Sequence, residues 1–536
     1  MVTSAAVPAS LLEAQRSRRN NWNSQVARHA QMIPDRIALR FQGASVTWST
    51  LHTRVEKFAD ALSRRGVGFG DRVLILMLNR PEYLEVVLAT NVLGAIAVPV
   101  NFRMTVPEVA FLVRDSGARA VVADTTLAPL AAGVRSEVGG PELSIVVGGP
   151  ADGDVSGDAL GYEDLIAEVG ATRPGIDVPD DTPALIMYTS GTTGRPKGAV
   201  LTHSNMAAQA LTCIRAFQLN RTDDIGFCAS PMFHIAALGA MTPNLMLGLT
   251  TVIYPVGAFD PNALLDVLEE EQATTVFLVP VQWQAVCAAQ QAQPRKLKLR
   301  VISWGAAPAS DTVLRAMAET FPDAANVAVF GQTEMSPVTC VLDGEDALRK
   351  LGSVGRVLPT VLARVVDDDM NDVAPGEVGE IVYRGPTTML EYWQNPEATA
   401  EAFHGGWFHS GDLVRVDDEG FVYVVDRKKD MIISGGENIY CAEVENVLFS
   451  HPKVLEAAVI GRPDPRWGEV PVAVVALRPD AGGDLALEEL QPLLDETLAR
   501  YKHPKAVIHV DSLPRNASGK VLKGELRGGA SAVVQG

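Results

Sequence analysis

Residues 183–198 read PALIMYTSGTTGRPKG and combine a short apolar run with a polar loop. The run PALIM is typical of a buried strand, because continuous apolar segments bounded by turns suit parallel strands covered on both faces. Gly191 and Gly194 in the loop allow backbone N–H groups to approach a phosphate closely. The stretch therefore predicts a strand that leads into a phosphate-binding loop.

The same loop carries the side chains that a phosphate needs. Its hydroxyl donors are Thr189, Ser190, Thr192 and Thr193. Lys197 adds a positive charge, and charge-assisted hydrogen bonds to phosphate are strong. The loop is not a Walker loop, in which Gly-Lys is followed by Ser or Thr, because the chain has Pro-Lys-Gly at that point. A kinase or ATPase with a Walker loop is therefore disfavoured.

Apolar runs alternate with helical patterns over the first two-thirds of the chain. A helix is predicted from Pro81 onward. Further strands are predicted at VLILMLN (73–79), ARAVVAD (118–124), LSIVVGG (143–149), TTVIYP (250–255), TTVFLVP (274–280) and LRVISWGAAP (299–308). Alternation of strands with helices indicates a doubly wound α/β domain.

The pattern changes near residue 360 to short strands and turns. The charged link Arg427–Asp430 precedes a compact α+β region that contains the helical segments CAEVENVLFSHP and LALEELQPLLDETLARYKHP. We therefore predict a large N-terminal domain over residues 1–428 and a small C-terminal domain over residues 429–527. Residues 528–536 are expected to be a disordered tail.

Composition limits the classes of function. The chain of 536 residues has a net charge of −18, which disfavours nucleic acid as a partner. Its five cysteines lack a Cys-x-x-Cys motif, which argues against a disulfide framework and a zinc knuckle. We expect a cytoplasmic protein, because neither a signal peptide nor a membrane-spanning apolar run is found. The sequence leaves open a peripheral membrane contact and a homodimer.

Further motifs follow the phosphate loop in a fixed order. They are SWGAAP from Ser303, FGQTE from Phe330, WFHSGDL from Trp407, DRKKDMIISGGENI from Asp426 and PRNASGK from Pro514. Together they resemble the adenylate-forming superfamily of acyl-CoA synthetases, amino-acid-activating domains and beetle luciferases, over about Asn21 to Lys523. The chain is most similar to actinobacterial fatty-acyl-CoA ligases. This resemblance implies doubly wound N-terminal subdomains plus a β-rich part, and a small mobile α+β C-terminal domain.

Two predicted strand ends suit a flat purine ring. Phe330 and Gly331 end the strand VAVFG, where an aromatic ring can stack and a glycine leaves room. Gly305, Ala306 and Ala307 form a surface of small residues that lets a ring lie close to the backbone. By the resemblance, both segments bind ATP or AMP.

The resemblance also assigns the groups around the phosphates. Gln332 belongs to the nucleotide site, Thr333 contacts the α-phosphate and Glu334 is a ligand of Mg²⁺, for which a carboxylate is suited. Lys520 in PRNASGK is the adenylation lysine, and a compact charge on a flexible stem fits this task. The catalytic residues that it implies are Lys520, Thr193, Glu334 and Lys197.

The region after residue 400 supplies the remaining predicted contacts. Asp412 is expected to bind the ribose hydroxyls, with Arg427 beside it, and Lys429 is expected to be the hinge of the small domain. The CoA-binding residues that the resemblance implies are Gly435, Gly436 and Glu437.

The segment PMFHIAALGAM is expected to border the acyl pocket. His234 stands where amino-acid-activating members carry an aspartate for the substrate ammonium, so an amino acid is disfavoured. The apolar lining predicted with it is Ile235, Ala237 and Leu238. Some fatty-acyl ligases have a gating tryptophan just past this histidine, and this chain has none.

We therefore expect an ATP-, Mg²⁺- and CoA-using ligase for a medium- or long-chain fatty acid, which forms acyl-AMP and then acyl-CoA. Alternatives are an aromatic or other apolar acid, and transfer of the acyl group to a separate carrier protein. An oxidase of the luciferase type and a nucleotide-binding scaffold without turnover are further possibilities. The scaffold is disfavoured because the full set of Thr193, Glu334, Asp412 and Lys520 is present.

Overall fold

The computed structural model describes residues 14, 18–148, 159–168, 170, 176–189, 195–307, 309–479, 481–515 and 521–527. They form two compact units. The first comprises the chain up to Leu362 and Arg384–Phe408, and the second comprises Ala363–Tyr383 and the chain from His409. The predicted boundary at 428/429 lies within the second unit and stays a prediction about the hinge.

The strands are short and run through the whole chain. In chain order they are β1 (Ile37–Phe41), β2 (Ala44–Thr47), β3 (Arg72–Leu76), β4 (Ile96–Pro99), β5 (Ala120–Asp124), β6 (Leu143–Val147), β7 (Leu160–Gly161), β8 (Pro183–Thr189), β9 (Lys197–Thr202), β10 (Ile225–Cys228), β11 (Thr250–Ile253), β12 (Thr275–Leu278), β13 (Val301–Gly305), β14 (Ala325–Gly331), β15 (Val338–Leu342), β16 (Arg356–Val357), β17 (Leu362–Val366), β18 (Gly379–Arg384), β19 (Glu391–Tyr392), β20 (Phe408–Val416), β21 (Val422–Arg427), β22 (Ile432–Ser434), β23 (Glu437–Ile439), β24 (Val454–Asp464), β25 (Gly468–Leu477) and β26 (Val507–His509).

Helices connect most of these strands. They are α1 (Trp22–Met32), α2 (Trp48–Arg64), α3 (Pro81–Val92), α4 (Val106–Ser116), α5 (Ala128–Val138), α6 (Tyr162–Glu168), α7 (His203–Ala216), α8 (Ile235–Leu247), α9 (Pro261–Glu270), α10 (Pro280–Ala292), α11 (Asp311–Thr320), α12 (Pro396–Ala402), α13 (Cys441–Phe449) and α14 (Leu487–Thr497). Each described helix is too short or too polar to cross a membrane. The peripheral membrane contact and the homodimer stay predictions.

Two sheets form the first unit. One has the order β19-β9-β8-β4-β3-β5-β6-β7, and the other has the order β16-β15-β14-β13-β12-β10-β11-β1-β2. Their central strands are parallel, whereas the edges at β9 and β19 and at β15 and β16 are antiparallel. Parallel strands covered by helices confirm the predicted doubly wound α/β architecture.

Local sequence explains why the predicted elements form. α3 begins at Pro81, where proline costs no hydrogen bond, and all of its residues except Glu82 are buried. The predicted strands appear as β3, β5, β6, β8, β11, β12 and β13. The second predicted C-terminal helix is shorter than expected, since α14 ends at Thr497. Lys502, which pairs with Glu443 over 2.7 Å, lies in a separate short 3-10 helix.

The second unit contains two further sheets. One is β17-β18-β20-β21, and the other is β23-β22-β25-β24 with β26 parallel to β25. The long antiparallel pair of β24 and β25 packs its apolar face against α13 and α14 through Val444, Val459, Val475 and Leu490. The α+β character predicted for this region is therefore confirmed.

Candidate functional site

The junction of β8 and β9 carries the described part of the predicted phosphate loop. The two strands are antiparallel, and Thr189 at the end of β8 pairs with Lys197 at the start of β9. Residues between them that were predicted to bind phosphate lie outside the described residues: Ser190, Gly191, Thr192, Thr193 and Gly194. Their role stays a prediction, whereas Thr189 and Lys197 stand at one end of the hairpin.

Glu334 lies beside this strand end. It belongs to the short 3-10 helix Thr333–Met335, and its side chain is buried. Thr189 Oγ1 donates a hydrogen bond to Glu334 Oε1 over 3.3 Å, and the Tyr392 hydroxyl donates to the same oxygen over 2.9 Å. Lys197 Nζ lies 5.2 Å from the centre of the Tyr392 ring. The predicted magnesium ligand and two predicted phosphate contacts therefore meet in one place.

The backbone of Glu334 is fixed from a distant part of the chain. The amide of Met389 donates to the Glu334 carbonyl over 2.7 Å. Asn205 Nδ2, in the first turn of α7, donates to the carbonyls of Pro386 over 2.7 Å and Thr388 over 2.9 Å. Sequence analysis missed Asn205 and Tyr392, because each acts through residues far along the chain and no local pattern marks such contacts.

The predicted purine edge is formed by two adjacent parallel strands. Gly305 at the end of β13 pairs with Val329 of β14, so the carboxyl ends of both strands lie side by side. A Cβ atom at Gly305 would lie 2.3 Å from the Val329 carbonyl oxygen, which explains the glycine. Ala306 and Ala307 follow as exposed residues, and Ala306 adopts a φ of 65°, which is uncommon outside glycine.

The neighbouring strand end leads directly to Glu334. Phe330 and Gly331 are half-buried at the end of β14. A Cβ atom at Gly331 would lie 1.9 Å from the Pro337 carbonyl oxygen, so the two segments approach closely there. The amide of Gln332 donates to that carbonyl over 2.8 Å. Phe330, predicted to stack on the purine, and Thr333, predicted to contact the α-phosphate, therefore lie within four residues of each other.

The predicted acyl segment adjoins the same turn. His234 occupies the N-cap position of α8, although its side chain makes no capping hydrogen bond. Further along α8, a Cβ atom at Gly239 would lie 2.8 Å from Pro337 Cδ, so the helix approaches the turn after Glu334. The rings of Phe233 and His234 have centroids 4.2 Å apart, and Phe102 meets Phe233 edge-on at 5.3 Å. The apolar residues predicted beside His234 are buried: Ile235, Ala237 and Leu238.

His234 is a neutral group in these surroundings. Burial, together with the positive charge of Arg103, lowers the pKa of His234 to about 4. Its Nε2 atom is buried and has no hydrogen-bond partner among the described residues. An uncharged imidazole can form a hydrogen bond with a substrate through this nitrogen, but it has no negative charge with which to bind an ammonium group.

In the second unit, the two residues predicted near the ribose contact each other. Asp412 of β20 pairs with Arg427 of β21, and Arg427 Nε lies 2.7 Å from Asp412 Oδ1. Asp412 is 1% exposed, and its amide donates to Ser410 Oγ over 3.0 Å. The ion pair and the strand pairing therefore keep the two side chains next to each other.

Glu380, a buried carboxylate that sequence analysis missed, contacts β20 close to Asp412 and the charged link that follows β21. Glu380 accepts from the amide of Gly411 over 3.0 Å, lies 3.1 Å from His409 Nδ1 and pairs with Lys428 Nζ at 3.1 Å. Burial raises the pKa of Glu380, but the His409 and Gly411 hydrogen bonds and the Lys428 charge outweigh it and leave that pKa below the usual value. Glu380 thus stays ionised between the strand and the link.

The predicted CoA and hinge residues lie in turns. Gly435 and Gly436 connect β22 to β23 with φ values of 60° and 88°, which favour glycine. The Gly435 amide donates to the Trp467 carbonyl over 2.8 Å. Glu437 and Lys429 are exposed. Lys520 lies outside the described residues.

Residues 26–393 match the family of AMP-binding enzymes, and residues 443–520 match the AMP-binding enzyme C-terminal domain. The chain belongs to the AMP-binding enzyme family. The match to the first family covers the phosphate hairpin, the purine edge, Glu334 and the His234 segment of this AMP-binding enzyme.

Individual relatives refine this assignment. Feruloyl-CoA synthase from an Amycolatopsis species is 42% identical over 518 residues, which are 95% of this chain and 99% of the relative. Long-chain-fatty-acid–CoA ligase FadD13 from Mycobacterium tuberculosis is 35% identical over 497 residues, 91% of this chain and 94% of the relative. Both relatives are acid:CoA ligases, and so is this AMP-binding enzyme.

A solved structure supports the same assignment. The o-succinylbenzoate CoA synthetase of Bacillus subtilis, in complex with its acyl-adenylate intermediate, is similar with a TM-score of 0.82 and 32% identity. The alignment covers 95% of this chain and 98% of that one. The same Bacillus enzyme has also been solved with ATP and a magnesium ion.

Proposed function

We propose that this acid:CoA ligase acts on an aromatic carboxylic acid, which it converts to an acyl-AMP and then to the CoA thioester. ATP is cleaved to AMP and pyrophosphate. The observation that carries the adenylation step is the meeting of Thr189, Lys197 and Glu334 beside the purine edge. The relation to feruloyl-CoA synthase supports the aromatic acid.

In the first half-reaction, a carboxylate oxygen of the acid attacks the α-phosphorus of ATP, and the bond to pyrophosphate breaks. Lys197 and the Thr189 hydroxyl stand at the end of the hairpin, where they hold phosphate oxygens. Lys520 neutralises the charge that develops on the α-phosphate and on the attacking carboxylate. Asp412 binds the ribose hydroxyls, and Arg427 keeps Asp412 in place.

Glu334 fits the role of a magnesium ligand. Its Oε1 atom accepts from Thr189 and Tyr392, whereas no described residue hydrogen-bonds Oε2. Mg²⁺ is commonly held by one or two carboxylates together with substrate phosphates, and the described residues contain no cluster of three or more metal-binding side chains. When bound, the ion supplies charge neutralisation for the phosphates.

In the second half-reaction, the CoA thiolate attacks the carbonyl carbon of the acyl-AMP, and the bond to AMP breaks. We propose that the chain pivots at Lys429, which withdraws Lys520 and presents the Gly435–Gly436 turn to CoA. The exposure of both Lys429 and the turn is consistent with this role.

The residues around His234, which are expected to border the acyl pocket, favour an acid with an uncharged, flat group. The rings of Phe102, Phe233 and His234 form an aromatic group at the N-terminus of α8, the helix whose Gly239 approaches Pro337. Aromatic rings gain about 0.5–1.5 kcal/mol from well-placed ring partners. The neutral His234 offers a hydrogen bond to a phenol or carboxyl oxygen, and does not compensate an ammonium charge.

A medium- or long-chain fatty acid is the second candidate. It is favoured by the relation to FadD13 and by the apolar residues that follow His234. Because each buried CH₂ adds about 0.8 kcal/mol, kcat/KM would then rise along a series of acids until the pocket is full.

The experiment is a comparison of acids with the purified enzyme, ATP, Mg²⁺ and CoA, with acyl-CoA identified by mass. The acids are ferulic acid, 3-phenylpropanoic acid and fatty acids of graded length, and phenylalanine is the matched control for phenylpropanoic acid because it adds an ammonium group. We expect kcat/KM for an aromatic acid to exceed that of every fatty acid at least tenfold, and phenylalanine to be orders of magnitude poorer.

Each outcome discriminates. If a fatty acid is preferred, the second candidate replaces the first. If phenylalanine is preferred, the role given to His234 is wrong. If acyl-AMP forms but CoA accepts no acyl group, the acceptor is a carrier protein. If no acid releases pyrophosphate, the proposal fails.

A further inference from the structure

Tyr392 touches two groups of the site from the edge of the sheet. It lies in the two-residue strand β19, which pairs antiparallel with β9 so that Tyr392 is opposite Ala199. Its hydroxyl donates to Glu334 Oε1 over 2.9 Å, and Lys197 Nζ lies 5.2 Å from the centre of its ring. One side chain therefore contacts both the carboxylate and the ammonium group.

The two carboxylate oxygens of Glu334 differ in the hydrogen bonds that they accept. Tyr392 and Thr189 both donate to Oε1, and no donor to Oε2 is found among the described residues. Two donors on one oxygen fix the rotation of a carboxylate about its last torsion, which is otherwise broad. No described residue therefore competes with a bound ligand for the other oxygen.

The ring of Tyr392 acts on Lys197 in a different way. An ammonium group within about 6 Å of an aromatic centroid is attracted by the negative face of the ring. This contact limits the positions of the flexible lysine stem without using any of its hydrogen-bond donors. The three donors of the ammonium group therefore stay available for phosphate oxygens.

We propose that Tyr392 is a positioning residue for adenylation, which holds Glu334 with Oε2 directed to the magnesium-nucleotide and confines Lys197 beside it. The inference rests on the proposed function, since it assumes that Glu334 is the magnesium ligand. Tyr392 itself does not contact the reacting atoms.

The test is Tyr392→Phe, which keeps the ring and removes the hydroxyl. A hydrogen bond to a charged group contributes about 1.5–3 kcal/mol, and 1.4 kcal/mol is a factor of ten. We expect the Mg²⁺ concentration for half-maximal acyl-AMP formation to rise about 10- to 100-fold. Thioester formation from supplied acyl-AMP and CoA should stay within twofold of wild type.

A second readout does not depend on turnover. The rise in melting temperature that Mg²⁺ causes in the presence of a non-hydrolysable ATP analogue should be smaller in Tyr392→Phe than in wild type. Tyr162→Phe is the matched control, because the Tyr162 hydroxyl also donates to a buried glutamate, Glu85, over 2.7 Å. It should lower the melting temperature but leave the Mg²⁺ dependence unchanged.

A double variant separates positioning from mere packing. If Tyr392 acts through Glu334, then Tyr392→Phe should cost little more in a Glu334→Gln background, because the two changes remove one interaction. Additive losses, or equal losses in both half-reactions with unchanged Mg²⁺ dependence, overturn the proposal. If wild type binds Mg-nucleotide but makes no acyl-CoA, the proposed function fails, and the effect of Tyr392→Phe on the Mg²⁺-dependent rise in melting temperature still decides the positioning role.

Discussion

Replacement of Gly305 by alanine tests whether the close approach of β13 and β14 shapes the nucleotide site. The added Cβ would lie 2.3 Å from the Val329 carbonyl oxygen and 3.1 Å from Val329 Cγ2. Unstrained contacts are roughly 3.5 Å, so the strands must separate by about 1 Å at this point. The nearest obstacle is backbone, which cannot rotate away.

The size of the effect follows from this geometry. Overpacking of this kind costs about 1–3 kcal/mol, and each kcal/mol lowers the melting temperature by about 2–4 °C in a domain of roughly 150–250 residues and by less in a larger one. Because Gly305 ends the strand beside Phe330, the displacement also reaches the predicted purine edge. We expect kcat/KM for ATP to fall at least tenfold, with a smaller change in KM for CoA.

The assay combines thermal melting with initial rates of pyrophosphate release over a range of ATP concentrations. Gly257→Ala is the matched control, because it makes the same change at an exposed glycine whose added Cβ would meet nothing within 4 Å. If Gly305→Ala matches wild type and the control in melting temperature and KM for ATP, the argument from strand spacing is wrong. A lower melting temperature with an unchanged KM for ATP would separate Gly305 from the nucleotide site.

Four further predictions use different parts of the chain. Lys520→Ala should abolish acyl-AMP formation from acid and ATP but largely spare thioester formation from supplied acyl-AMP; equal loss of both contradicts its role. Glu334→Gln should reduce Mg²⁺-dependent turnover more than nucleotide binding, measured by calorimetry, because it keeps the shape and removes the charge. Lys429→Pro, compared with Lys429→Ala, should reduce thioester formation far more than acyl-AMP formation, and a near-normal rate of acyl-CoA formation would exclude Lys429 as the hinge. Burial lowers the pKa of His203 from 6.5 to about 4, so stability present above pH 6.5 is lost as the pH falls toward 4; His203→Leu should flatten this part of the melting curve against pH, and an unchanged slope refutes the assignment.

The central strands could be predicted because their signal is local. β3, β5, β6 and β8 are continuous apolar runs between turn residues, and their burial on both faces follows from that composition. The antiparallel edge β19 could not be predicted, since it has two residues and owes its conformation to pairing with β9. Tyr392 was missed for the same reason.

The residues predicted to bind the nucleotide divide in a similar way. Phe330, Gly331 and Glu334 could be placed together because they are neighbours in sequence, and Asp412 and Arg427 because both belong to recognisable motifs. Glu380 could not, since it contacts His409 and Lys428 only through the pairing of separate strands. The identity of the acid could not be predicted, because it depends on the shape of the acyl pocket. His234 and its apolar neighbours indicate the polarity of the acid but not its length.

The contacts around Lys429 support the proposal that it is the pivot. On one side, Lys428 Nζ pairs with Asp368 at 2.7 Å and Glu380 at 3.1 Å, which fastens the link to the four-stranded sheet. On the other side, Asp430 Oδ1 lies 3.0 Å from Arg527 Nη2, and the Asp430 carbonyl accepts from Cys441 Sγ over 3.0 Å.

Lys429 itself is exposed, and no hydrogen bond of its side chain is found among the described residues. A rotation of the chain requires one residue whose φ and ψ can change without breaking buried contacts. Both neighbours would lose ion pairs if they turned, whereas Lys429 would lose none that the structure describes. The family resemblance names Lys429 within the charged link Arg427–Asp430, and the ion pairs made by both of its neighbours favour the same residue as the pivot.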